Sequence, residues 1–220
     1  MIRVRLIQGI IPHYRVPVYE NLGARPEIDL TIHADLSEGS GSLKGESHVP
    51  GCTLEHLSER ALGPLVWDPQ IVSAAALPCD VLILPWRTRS LFLNKAIRTA
   101  RRSGAGVVLW GHGLSKYDTA FREYLRTRLI KKVDGLLFYD PVTAKKFASR
   151  FPSERLFSAP NAIDQRPIQK AIDAWRDQPG RLEGFQSKEG IDPDHTAIFI
   201  SRIEPDKKLD LLLDGLKHAL

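Results

Sequence analysis

An α/β fold built on a parallel sheet is what this sequence predicts, and three observations predict it. Short apolar runs alternate with helical stretches from the first residues to about Pro160. The clearest run, Asp80-Val81-Leu82-Ile83-Leu84-Pro85, is apolar without alternation, as a strand is when helices cover both faces of its sheet. The composition, 43% hydrophobic and 26% charged over 220 residues, is that of a globular chain with enough apolar side chains for a substantial core.

Taken in order, Ile2 to Gln8 reads as a strand, and Pro17 suits the first turn of a helix running to Leu22. A second strand is expected at Ile28 to His33, then a Gly/Ser-rich mobile loop from Leu36 to Gly51. After the apolar strand at Asp80–Pro85, a helix is predicted from Arg89 to Ser103, stopped by Gly104. Val107-Val108-Leu109-Trp110 is the next buried strand and ends in Gly111-His112-Gly113. Phe121, Leu125, Leu129 and Val133 recur every fourth residue and give one apolar helix face. Gly135 to Tyr139 is a strand, Pro141 opens a helix, and Phe157 to Pro160 is a short last strand. Beyond Asn161 the chain turns polar, with breaks at Pro179-Gly180 and Gly184. A strand at Thr196–Ser201 and an amphipathic helix at Lys207–Leu220 follow.

In an open parallel sheet, ligands bind outside the carboxyl ends of the strands. That rule selects four loops: Gly9–Arg15, Pro85–Arg89, Gly111–Lys116 and Tyr139–Thr143.

The net charge of +5 favours anionic partners such as phosphates, nucleotides or an acidic membrane face. No Cys/His finger, heptad-linked basic region or aromatic RNA-binding motif is present, so nucleic acid is not the expected partner. Cys52 and Cys79 form no CxxC pair and suit a reducing compartment; with no signal-like start and no run of ~20 apolar residues, a cytoplasmic protein is expected. The stretch Phe121–Val133 carries Arg122, Arg126, Arg128, Lys131 and Lys132, and neighbouring helices add Arg98, Arg101, Arg102, Lys145 and Lys146. Such a surface is either a solvated polar face or a peripheral contact with an anionic membrane.

Four motifs, in this order and at these intervals, carry a family resemblance. Ser201-Arg202-Ile203-Glu204-Pro205-Asp206-Lys207-Lys208-Leu209-Asp210-Leu211-Leu212-Leu213 resembles the opening of the second domain of GT-B glycosyltransferases of the GT4 type. Ala159-Pro160-Asn161-Ala162-Ile163-Asp164 is similar to the turn that closes the first domain of that family. Trp110-Gly111-His112-Gly113 resembles its cleft-facing loop, and Asp134 to Ala144 resembles a later strand and helix start.

The resemblance implies a Rossmann-like parallel-sheet domain on the acceptor side (1–164), a connecting segment (165–194) and the first βα unit of a second Rossmann-like domain for the nucleotide sugar (195–220), an incomplete GT-B architecture. It implies transfer of a sugar, with retention, from a nucleoside diphosphate donor to a hydroxyl of a glycan or lipid-linked acceptor, as in cell-surface polysaccharide synthesis. No cofactor or metal is implied. The family's Glu-x7-Glu motif is absent; Glu38 and Glu46 have that spacing, but in the wrong domain.

Breaking a glycosyl–phosphate bond leaves charge on the diphosphate, and cations placed there stabilise it. By resemblance Arg202 and Lys207 hold the diphosphate, helped by the helix that starts near them; ion pairing with Glu204 and Asp206 is the alternative. His112, at a strand end between Gly111 and Gly113, is the expected catalytic residue, with both glycines lining the substrate site. Arg15 is either an anion contact for substrate or a solvated cation at a helix start. The 220 residues by themselves are expected to be inactive for want of most of the donor domain. The alternative is a non-catalytic Rossmann-like module that binds acceptor or anions.

Overall fold

The computed structural model describes residues 1–36, 45–114, 119–178, 180–201 and 203–219, without the side chains of Phe121 and Ala219. The chain divides into two compact units, Met1–Asp164 and Gln165–Leu220.

In the first unit, β1 (Ile2–Ile7) leads through a 3-10 turn (His13–Arg15) into α1 (Val16–Gly23). β2 (Ile28–Ala34) and β3 (Thr53–His56) follow, then a hairpin of β4 (Arg60–Leu62) and β5 (Leu65–Trp67), and α2 (Gln70–Ala76). The remainder alternates: β6 (Val81–Pro85), α3 (Leu93–Arg102), β7 (Gly106–Gly111), α4 (Ala120–Ile130), β8 (Gly135–Phe138), α5 (Pro141–Phe147) and β9 (Leu156–Ser158). Seven strands form one sheet in the order β3-β2-β1-β6-β7-β8-β9, with every neighbouring pair parallel. This is the predicted Rossmann-like α/β fold, and its strand order reverses between β1 and β6.

One face of the sheet is closed. Leu82, Leu84, Val107, Leu109, Leu136 and Phe138 pack into a cluster with Ile71, Ala75, Leu93, Ile97, Leu129 and Phe147 from the helices α2 to α5. The other face carries Val4, Leu6, Leu30, Ile32, Ile83, Trp110 and Leu137, with Tyr19, Val16 and Leu22 of α1 against it. The period-2 side-chain alternation of a strand assigns adjacent residues, such as Ile83 and Leu84, to opposite faces.

Carboxylates tie the amino ends of the strands. Asp80 accepts from the Arg3 backbone N–H at 2.8 Å and from its guanidinium at 3.0 Å, which holds its pKa near 2. Asp134 accepts from the Val107 N–H at 2.9 Å. Asp140 caps α5 by accepting from the Thr143 N–H at 2.6 Å, with Pro141 in the first turn.

Two local expectations are corrected. The helix expected from Arg89 begins at Leu93, because Arg89–Leu91 hydrogen-bonds to Val66 of the hairpin instead (Val66 N to Arg89 O, 3.0 Å; Leu91 N to Val66 O, 3.1 Å). The strand expected at Thr196–Ser201 does not form. A strand is stabilised by ladder bonds to a neighbour, and the second unit contains no strand among its described residues to supply them. Ile198 and Ile200 are correspondingly 79% and 90% exposed.

The second unit consists of α6 (Gln165–Arg176), α7 (Arg181–Glu189) and α8 (Leu209–Ala219), with a 3-10 turn at Pro205–Lys207. Trp175 packs edge-on to Phe185 with centroids 5.7 Å apart and under the Arg181 guanidinium at 4.2 Å. None of its described residues is buried.

Candidate functional site

At the carboxyl ends of β1, β6, β7 and β8 lies a crevice of about 360 Å³, the place where a strand-order reversal leaves room for a ligand. Gln8 follows β1, Trp86 to Arg89 follow β6, His112 to Leu114 follow β7, and Tyr139 follows β8; all line it, with Arg126 reaching in from α4.

Each wall has an identifiable support. The Trp86 N–H bonds to the Trp110 carbonyl at 2.8 Å, and the Trp86 ring packs against Phe138 and Phe147. The Arg87–Ser90 loop is braced by the hairpin region: Arg87 donates to Glu59 at 2.5 Å, and the Ser90 hydroxyl donates to buried Asp68 at 2.7 Å. Burial pushes the Asp68 carboxyl pKa up, against the Ser90 bond and the Arg87 charge. Arg87 Nη2 lies where a Cβ on Gly9 would stand, 2.3 Å away, so the glycine lets this cation reach the end of β1.

His112 is exposed, and its ring centroid is 4.5 Å from that of Tyr139. A Cβ on Gly111 would meet Trp86 Cβ at 2.8 Å; Gly113 has φ +67°, and a Cβ there would meet Phe138 at 2.6 Å. Both glycines therefore let the loop turn tightly over aromatic side chains, and both line the crevice.

Arg15 is buried at 8% exposure, not the solvated helix-start cation that was one expectation. It donates to Gln8 Oε1 at 2.9 Å and to Asn161 Oδ1 at 3.3 Å, and its guanidinium carbon lies 4.6 Å from the Trp110 ring and 5.1 Å from the Tyr139 ring. Burial opposes its charge, but the neighbouring Tyr139 and Tyr19 outweigh that, and the pKa is raised.

Arg126 corrects the reading of α4 as one basic surface. It is 4% exposed, pairs with Glu123 at 2.5 Å and belongs to the crevice, whereas Arg122, Arg128 and Lys131 are exposed. Lys132 bonds to Asn94 Oδ1 at 2.7 Å.

In the second unit, Lys207 ends the 3-10 turn and pairs with Asp206 at 3.2 Å. Arg202 lies outside the described residues, as do Lys116, Glu38 and most of the Gly/Ser-rich loop. Lys208 has φ +54°, the one positive φ of a non-glycine residue among the described residues.

The strand-end rule selected loops that line the crevice, His112 among their residues, but sequence reasoning did not name Gln8, Arg87, Arg89 and Arg126 as lining residues. Gln8 and the two loop arginines lay within or beside the loops that the strand-end rule selects. Arg126 had no such signal, because its inward turn depends on how α4 packs.

No protein-family model matches the chain, and no curated protein matches it in sequence. Its structure is similar to that of Anabaena HepE crystallised in complex with UDP, with a TM-score of 0.58 at 15% identity, covering 98% of this chain and 57% of HepE. Against HepE in complex with UDP and glucose the TM-score is 0.55 at 12% identity, with the same coverage. The likeness is one of fold, and this chain spans 57% of the length of HepE.

Proposed function

We propose that this chain forms the acceptor-side wall of a glycosyltransferase that moves a sugar, with retention, from a nucleoside diphosphate to an acceptor hydroxyl. The supporting observation is the crevice at the strand-order reversal, where exposed His112 shares one opening with Arg87, Arg89 and Arg126. The fold's likeness to HepE, whose crystals hold UDP, makes UDP-sugars the first donors to test.

In this reading the acceptor hydroxyl and the reacting sugar meet above Gly111–Gly113. His112 Nδ1 or Nε2 hydrogen-bonds a sugar hydroxyl or the reacting centre, and Arg15 fixes the aromatic wall behind it. The guanidinium groups favour the negative charge that develops as the glycosyl–phosphate bond breaks. The diphosphate itself is held by Arg202, Lys207 and the amino end of α8, in the donor-side domain begun by 195–220. No cofactor or metal is needed by this scheme. Exposed Arg122, Arg128 and Lys131 offer the anionic-membrane contact expected for a lipid-linked acceptor.

Sugar transfer from UDP-glucose and other UDP-sugars, assayed with the protein that carries this chain, tests the reading. His112→Ala should lower kcat/KM by roughly 10²–10⁴-fold, the range for loss of a positioned proton-transfer group. Because His112 is exposed, thermal stability should hardly change. Unchanged turnover in His112→Ala would remove the residue from the chemistry. The isolated 220 residues should give no measurable transfer.

A further inference from the structure

Behind the sheet, on the face that α1 partly covers, a cavity of about 240 Å³ is lined by the strands, α1 and the segment Ala159–Ala162. Most of its wall is aliphatic, including Leu22, Ile83 and Leu137. Four residues with polar groups interrupt that wall: Asn161, and Arg15, Tyr19 and Trp110 at 8%, 1% and 9% exposure. The last three are the buried ones. Arg15 Nε and Trp110 Nε1 are buried donors with no acceptor among the described residues, and the Tyr19 hydroxyl, whose oxygen faces the Arg15 guanidinium, has no acceptor for its proton there.

These atoms share a chemistry. Arginine and indole nitrogens are donors only. Burial pushes the Tyr19 phenol up to about 12, against the pull of the Arg15 charge, so it too keeps its proton. The oxygens that Arg15 faces belong to the amides of Gln8 and Asn161 and the phenols of Tyr19 and Tyr139, and no carboxylate pairs with it among the described residues. A buried cation without a counter-charge and a buried donor without an acceptor are both costly. An oxygen anion bound in the cavity offsets both costs.

We propose that this cavity binds a small amphiphilic carboxylate, its head beside Arg15, Tyr19 and Trp110 and its hydrocarbon tail among Leu22, Ile83 and Leu137. The volume equals about eight water volumes of ~30 Å³ each, which suits a six-carbon acid. The proposal does not depend on the assignment of sugar transfer, although Trp110 lines both openings.

Titration of the 220-residue chain with sodium hexanoate at pH 7 tests the proposal. Calorimetry reports the binding, and the Trp110 indole N–H resonance, assigned by its loss in Trp110→Phe, locates it. Saturable one-site binding is expected, at least tenfold tighter than for hexan-1-ol, which lacks the charge, or acetate, which lacks the tail. Arg15→Gln should weaken hexanoate at least tenfold. Val18→Phe, which fills the cavity from the partly exposed α1, should abolish binding while near-UV circular dichroism stays that of a folded chain. Absence of saturable binding, equal affinity for hexan-1-ol, or undiminished hexanoate affinity in folded Val18→Phe would overturn the proposal.

Discussion

Leu84 and Ile83 are neighbours on one strand, yet Leu84 is wholly buried beneath the helices that follow β5, whereas Ile83 is half-buried on the face that α1 partly covers. The difference runs along the sheet. On the closed face Leu82, Val107, Leu109, Leu136 and Phe138 show no exposure, while on the open face Val108 and Leu137 remain partly accessible. A parallel sheet is stable when both faces are covered, so the closed face supplies the core and the open face supplies space. The cavity behind Arg15 lies on the open side, and the crevice at the strand ends borders both.

The sharpest way to break this comparison is a pair of truncations. Leu84→Ala should cost about 2–5 kcal/mol, as for a Leu→Ala change in a packed core. Ile83→Ala should cost about 1 kcal/mol, because much of its surface is already wet. Urea denaturation of both variants measures the gap; equal losses would mean that the two faces are packed alike.

A smaller effect probes the polar margin of the closed face. The β1–β2–β3 register puts Arg5, His33 and Glu55 on the side of Ile7. His33 is 3% exposed; an Arg5 guanidinium nitrogen lies 3.0 Å from its Nε2, and Glu55 lies 3.5 Å from its Nδ1. Burial lowers the His33 pKa below 6.5; Glu55 opposes this and the Arg5 charge adds to it. The folded state therefore prefers neutral His33, while the unfolded chain takes up a proton below pH 6.5. Stability should fall as pH drops from 6.5 towards the folded pKa, and His33→Gln should flatten that slope in denaturation midpoints measured across the window. The Asp80 contribution is lost only in more acid solution, as pH falls from 3.8 towards 2.

The smallest expected effect carries the comparison into the second unit, where no described residue is buried. Lys208 adopts a left-handed conformation that costs a side-chain-bearing residue about 1 kcal/mol. Lys208→Gly should relieve it and slow amide exchange in α8. No change in protection would mean that the turn carries no strain.

Much of the sheet was legible in the sequence because buried parallel strands are local, continuous apolar runs. Asp80–Pro85 and Val107–Trp110 announce themselves without reference to any partner. The β4–β5 hairpin was missed, since its three-residue strands are too short to show a period and depend on pairing with each other and with the Arg89–Leu91 segment. The failed strand at Thr196–Ser201 is the converse: the apolar run is there, but the described residues of its unit offer no neighbour to bond with. His112 was legible from its strand-end glycines. Arg15 was legible as a cation in a strand-end loop, but its burial among Trp110, Tyr139 and Asn161 joins residues up to 146 positions apart.

The sequence by itself determined the α/β class, the principal strands and the loops that line the strand-end crevice, because hydrophobic periodicity and turn chemistry act within a few residues. Tertiary structure alone decided which face of the sheet stayed open, that Arg126 turns into the crevice, and that Arg15 is buried with no carboxylate against it among the described residues. Those outcomes depend on which elements pack together over long stretches of chain, and burial is a property of that packing, not of any local run of residues.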